Sequence, residues 1–143
     1  MIPESVKAYL AEVPDAAERK NREGVHDALR ILGVDPASEF GEFYLEYEGP
    51  FLSPRPLQDL YDLTELSSIL GSLDYIRDRY KLGEKFLPLT SDESGGMYLY
   101  NKEDGAVYDF YLRDYKPFMA GSIGPRWSSF NQFLQWFFDK SAA

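Results

Sequence analysis

The sequence predicts an α+β fold in a single domain over residues 1–143, and three observations carry that expectation. Helical spacings fill the first third, alternating aromatic segments flank Asp104 and Gly105, and a phenylalanine stripe closes the chain. Three early helices, central strands and a last helix imply a mainly antiparallel sheet with helices packed against one side. A chain of 143 residues can bury one sizeable core without disulfides or metals.

Val6, Tyr9, Leu10 and Val13 fall at i, i+3, i+4, i+7, one face of a short helix that Pro14 ends. Val25, Ala28, Leu29 and Leu32 repeat the pattern, and Gly33 suits the left-handed cap that follows a helix. The third helix takes Asp35 as N-cap and Pro36 as its first residue. Its stripe is Phe40, Phe43, Tyr44 and Tyr47, and Gly49 and Pro50 stop it. From Phe51 to Leu63, Pro54 and Pro56 interrupt the apolar residues, so an extended segment near a sheet edge is expected. Leu66, Ile69, Leu70 and Leu73 return to helical spacing behind Thr64 as cap, and "KFLPL" reads as a strand.

The stretch "SDESGGMYLYNKEDGAVYDFYL" holds the clearest strands. Asp104 and Gly105 suit a two-residue type I′ turn, which pairs Tyr100 with Asp109, Leu99 with Phe110 and Tyr98 with Tyr111. One face is then Met97, Leu99, Tyr108, Phe110 and Leu112, apolar enough for core. The other carries Tyr98, Tyr100, Lys102, Asp109 and Tyr111. A four-residue loop would keep these faces, whereas a three-residue loop would move Asp109 beside Leu99. In the last element Ser129 and Gln132 form a capping box, and Phe130, Phe133, Leu134, Phe137 and Phe138 make one stripe. Its polar face has only Lys140 as a cation, so the helix is expected to dock on the core and not on a membrane.

The chain carries 24 acids against 15 bases, a formal net charge of -9. That field repels nucleic acid and steers basic partners inward. No apolar run approaches the roughly 20 residues of a membrane span. The first residues lack the apolar core of a signal peptide. The absence of cysteine removes disulfides and thiolate chemistry and fits a cytoplasmic setting.

Little catalytic chemistry is legible. Gly95 and Gly96 open a strand behind Asp92 and Glu93, without the lysine and helix of a P-loop or the Gly-x-Gly-x-x-Gly of a dinucleotide site. They read as a turn with positive φ and a close backbone approach. "NKEDGAVYD" misplaces the glycine of a calcium loop, and His26, the single histidine, excludes a two-histidine metal site. Ser94 lacks the glycine two residues earlier that a nucleophile elbow needs. Carboxylate pairs remain open, because 24 acids permit many of them. No cofactor is expected. The remaining candidate is a partner-binding surface of Tyr98, Tyr100, Asp109 and Tyr111 with Asp92 and Glu93 at its entry. The competing account is a second core face, since tyrosine bodies bury well when their hydroxyls find partners.

Four segments, "LRILGVDPASEFGEFYLEYEGPF", "FLPLTSDESGGMYLY", "DGAVYDF" and "SSFNQFLQWFF", together resemble the SUKH superfamily, the Smi/Knr-type domain of bacterial immunity proteins. The resemblance spans roughly residues 25 to 140 and lies in element order and turn residues. One departure is Glu48, Gly49, Pro50 where that family often has Asn-Gly or Gly-Gly. The resemblance implies a SUKH-like α+β domain without cofactor or catalysis. It implies a protein partner, in many members a cognate toxin such as a nuclease or deaminase, and in others an endogenous protein of a regulatory or scaffold assembly.

Overall fold

The computed structural model describes residues 1–13, 17–65 and 68–142. Its helices are α1 (Glu4–Glu12), α2 (Arg22–Leu32), α3 (Glu39–Glu46), α4 (Ile69–Tyr80), α5 (Tyr115–Met119) and α6 (Phe130–Phe137). Its strands are β1 (Ala17–Glu18), β2 (Tyr47–Glu48), β3 (Phe86–Pro88), β4 (Gly96–Asn101) and β5 (Val107–Tyr111). β3, β4 and β5 form an antiparallel sheet in that order, and β1 pairs with β2 in a separate two-stranded ribbon. The α+β architecture is therefore the expected one.

The first two helices follow their apolar spacing. Val6 and Leu10 of α1 are buried, as are Val25, Ala28, Leu29 and Leu32 of α2, which ends at Gly33 with φ 74°. The expected stop at Pro14 lies outside the described residues. α3 begins later than expected. Asp35 caps a turn, its Oδ1 accepting from Ala37 N at 2.9 Å, and Ser38 is the N-cap, its Oγ accepting from Gly41 N at 3.0 Å. That turn folds back on the helix so closely that a Cβ on Gly41 would stand 2.6 Å from the carbonyl oxygens of Asp35 and Pro36. Tyr47, expected in the helix, lies in β2.

Residues 51–63 do not form a strand. Phe51 bridges Leu60, and Tyr61 N donates to Leu89 O at 2.7 Å, so the segment touches the β3 end of the sheet through one bond. The prolines deny it a ladder. α4 is capped by Ser68, whose Oγ accepts from Gly71 N, and not by Thr64; Leu66 lies outside the described residues. Pro88 is tolerated in β3 because that strand is at the sheet edge.

The hairpin takes the four-residue loop. Tyr98 pairs with Asp109, Leu99 with Tyr108 and Tyr100 with Val107, two residues away from the register of a two-residue turn. The loop's own side chains select it. Asn101 Oδ1 accepts from Glu103 N and Asp104 Oδ1 from Ala106 N, both at 2.9 Å, while Gly105 at φ 80° donates to Asn101 O. A shift of two keeps every side chain on its face. Leu112 is the exception: the chain turns into a 3₁₀ segment at Leu112–Asp114, leaving that leucine 46% exposed.

Both faces of the sheet are covered, not one. On one side Phe40, Phe43 and Tyr44 of α3 and Phe130, Phe133 and Phe137 of α6 pack with Tyr100 and Val107 in the larger cluster. On the other, Ile76 and Tyr80 of α4 and Phe118 of α5 cover Met97, Leu99 and Phe110. The unexpected excursion through the 3₁₀ segment and α5 supplies that second cover.

Candidate functional site

Covering both faces divides the six residues singled out from the sequence. Tyr100 is core: only 3% exposed, it stacks on Phe40 with centroids 4.6 Å apart and meets Phe130 at 5.5 Å. Burial pushes its hydroxyl pKa up to about 12, with Glu39 adding to the shift. Asp92 turns toward α4, accepting from the hydroxyls of Tyr75 and Tyr80 and lying 3.6 Å from Arg79 Nε. It ties the β3–β4 loop to that helix and leaves the tyrosine face. These two placements correct the surface expected from the sequence.

Tyr98, Asp109 and Tyr111 do come together. With Pro56, Leu57, Gln58, Thr90, Ser94, Gly96 and Met97 they line a groove of about 300 Å³. Only glycine fits at position 96 on its floor: a Cβ there would stand 2.7 Å from Phe110 O and 3.0 Å from the Tyr111 ring. Gly95, at φ 80°, supplies the bend into β4. Glu93 lies beside a second depression of about 620 Å³ that it lines with Asp59, Asp62, Glu65 and Ser91. Gln58 borders both hollows, and with its amide assigned so that both ends find partners it donates to Ser91 O at 2.6 Å and accepts from Ser94 N at 3.1 Å.

Residues missed in the sequence complete this face. Arg126 donates to Asp109 Oδ2 at 2.6 Å, and its guanidinium lies 4.6 Å from the rings of both Trp127 and Trp136. Arg55 lies 4.3 Å from the Trp136 ring and donates to Trp136 O at 2.9 Å, while Ser53 Oγ donates to Phe137 O at 2.6 Å. The 53–55 loop thus brings side-chain donors to two carbonyls at the C-terminal end of α6. Tyr98 packs edge-on to Trp127 and Trp136, with centroids 5.6 and 5.8 Å away. Burial, then Asp109 and Tyr111, push its pKa up to about 12 against the opposing pull of Arg126 and Arg55. Tyr98 is therefore a neutral hydroxyl at physiological pH. Trp, Tyr and Arg in one half-buried cluster are the composition that concentrates binding energy at protein interfaces.

A polar hub behind the acidic depression was equally hidden. Arg19, only 7% exposed, donates from Nε to Tyr44 O at 2.6 Å and from Nη2 to Tyr47 O at 2.9 Å and to Asp62. Asp62 also accepts from Gly49 N at 3.0 Å and Leu63 N at 2.8 Å. Gly49 thus serves the turn through its amide. The hub fixes the wall of the depression to β2.

Among the described residues no three metal-ligating side chains gather, and no helix is long and apolar enough to cross a membrane. Fold and surface together define a small α+β domain that presents an aromatic and guanidinium face beside an acidic hollow. The chain belongs to the SMI1 / KNR4 family (SUKH-1), whose description matches residues 27–136. The resemblance in the four segments holds, and domains of this family are known broadly as immunity-type domains. Comparison with curated proteins gives no match.

Proposed function

We propose that this chain is an immunity protein, binding a cognate bacterial toxin stoichiometrically and without catalysis in the cytoplasm that makes both. The observation that carries the reading is the cluster of Tyr98, Trp127, Trp136, Arg55, Arg126 and Asp109, gathered from four separate segments onto one face of an SMI1 / KNR4 domain. Aromatic anchors held by packing lose little entropy on binding, and the Asp109–Arg126 pair offers directed hydrogen bonds. Glu93 and Asp109 remain in the proposed contact with Tyr98 and Tyr111, whereas Tyr100 supports it from beneath. A net charge of -9 suits a basic toxin such as a nuclease, by raising the encounter rate. It gives nucleic acid itself no favourable phosphate contacts.

Co-expression with the product of the neighbouring reading frame tests this. A 1:1 complex and restored growth of cells expressing that product are expected. Binding without rescue points instead to a regulatory or scaffold module acting on an endogenous protein. The absence of both binding and rescue would remove the immunity reading.

A further inference from the structure

β5 is the outer strand of its sheet, and its backbone shows which groups are spare. Lys102 N donates to Lys85 O, and Leu89 N donates to Tyr98 O, so even-numbered β4 residues turn their backbone toward β3. Asn101 N donates to Ala106 O and Leu112 N to Gly95 O, so odd-numbered positions bond across to β5. Asp109 and Tyr111 stand opposite Tyr98 and Gly96, and their N–H and C=O groups therefore point away from β4.

Val107 has the same orientation, and there the outward groups are used: its N–H donates to Trp127 O at 2.9 Å and its carbonyl accepts from Trp127 N at 3.1 Å. Continuing that antiparallel pairing would set Pro125 opposite Asp109. Proline has no N–H to give, and the internal pairing ends at the single bridge. Among the described residues, β5 pairs only with β4 and, at Val107, with Trp127, which leaves the outward N–H and C=O of Asp109 and the outward N–H of Tyr111 spare, while the Tyr111 carbonyl opens the first turn of the 3₁₀ segment. The 300 Å³ groove floored by Gly96 lies beside this open edge, with Tyr111 39% exposed at its margin.

We propose that β5 is a strand-addition site, where an extended segment of the partner protein pairs with residues 109–111 and lodges one bulky apolar side chain in the Gly96 groove. Strand addition draws affinity from main-chain hydrogen bonds and specificity from pockets that accept alternate side chains, and both are present here. The proposal rests on the protein-binding reading above and gives its partner a chemistry. The segment carries basic residues beside its apolar one, because the chain's net charge of -9 attracts cations and opposes edge-to-edge pairing of two copies.

The probe is a blocked seven-residue peptide of alternating lysine and phenylalanine, titrated into the isotope-labelled full chain. A second version is methylated on alternate backbone nitrogens. The amides of Asp109, Tyr111 and Gly96 are expected to shift, and methylation is expected to weaken binding at least tenfold. Tyr111→Ala and Tyr111→Pro both lose the ring, but only the proline variant loses the outward N–H. The proline chain is expected to bind at least tenfold more weakly than the alanine chain; should it not fold, the methylated peptide on the unaltered chain decides. Equal affinity for the two peptides, shifts confined to other surfaces, or a dimer formed through this edge would each overturn strand addition. A complex with the neighbouring gene product that forms regardless would leave the protein-binding reading standing. Loss of that complex while the peptide still binds would remove the immunity reading alone.

Discussion

Replacing Arg19 by methionine perturbs the structure most informatively without any partner. The guanidinium donates to two backbone carbonyls, Tyr44 O and Tyr47 O, and to the Asp62 carboxylate, and the half-exposed Glu48 carboxylate lies 3.7 Å from its Nη1. Methionine fills similar volume but leaves all three without their donor. Removing one member of a buried ion pair costs about 3–5 kcal/mol. The Asp62 side chain is 22% exposed, and it keeps the amides of Gly49 and Leu63, so water and those donors recover part of the loss. An expected cost of about 3 kcal/mol follows, a large fraction of the ~5–15 kcal/mol that holds a domain together. With an unfolding entropy of roughly 2 cal/mol/K per residue, that lowers the melting temperature by about 10 °C. Urea titration and a thermal melt measure both quantities, with an unchanged urea slope showing that the folded state is intact. Repeating Arg19→Met in an Asp62→Asn chain, where the substitution strands no charge, is expected to cost less than it does in the unaltered chain. A loss below about 1 kcal/mol for Arg19→Met, or an equal loss in the Asp62→Asn chain, would refute the hub.

Gly41→Ala would ordinarily stabilise a helix by about 1 kcal/mol. Here its Cβ meets backbone at 2.6 Å, so urea titration is expected to show a net loss of about 1–3 kcal/mol, and any gain would contradict the packed turn. The pKa values of Tyr98 and Tyr100, raised to about 12, imply that folding favours their neutral forms. That stability is fully present below pH 10 and is lost as pH rises toward 12. Tyrosinate should therefore appear late for Tyr98 and Tyr100, as for the fully buried Tyr44, and melts should fall across that window; normal titration of Tyr98 and Tyr100 near pH 10 would contradict the burial. Arg55→Ala removes the stack on Trp136 and the donor to its carbonyl, and is expected to cost about 1–2 kcal/mol in urea, with no change contradicting that contact.

The parts of the fold legible in the sequence were those written in local periodicity. α1, α2 and α6 follow apolar spacing, and Gly33, which ends α2, and Ser129, which opens α6, are recognisable caps. The two faces of the β4–β5 hairpin were legible because side chains alternate, but its register was not. Asn101 and Asp104 both bond inside the loop, and Asp-Gly alone does not reveal that competition. The same applies to the start of α3, where Asp35 and Ser38 are both good caps and the contact behind Gly41 decides between them.

The candidate site was half visible for a different reason. Alternation places Tyr98, Tyr100, Asp109 and Tyr111 on one face, yet nothing local says how much of that face the helices cover. Phe40 and Phe130 take Tyr100 into the core and leave the Asp109 end free. Arg55, Arg126, Trp127 and Trp136 meet only through tertiary packing, and an isolated arginine before a tryptophan carries no signal of it. Arg19 was hidden by its neighbours: in a charged segment it reads as a solvated residue, and burial is decided by distant carbonyls.

The central claim is that the chain binds a protein partner through the face built on Tyr98, Asp109 and Arg126. Its most direct test is the affinity of an Asp109→Ala, Arg126→Ala chain for the product of the neighbouring reading frame, measured by calorimetry beside the unaltered protein. Removing both members of the pair strands no charge and is expected to lower the melting temperature by about 3 °C or less. Loss of a desolvated, directed pair at an interface is expected to weaken binding about 30-fold or more. An unaltered affinity in a chain that melts normally would contradict the account.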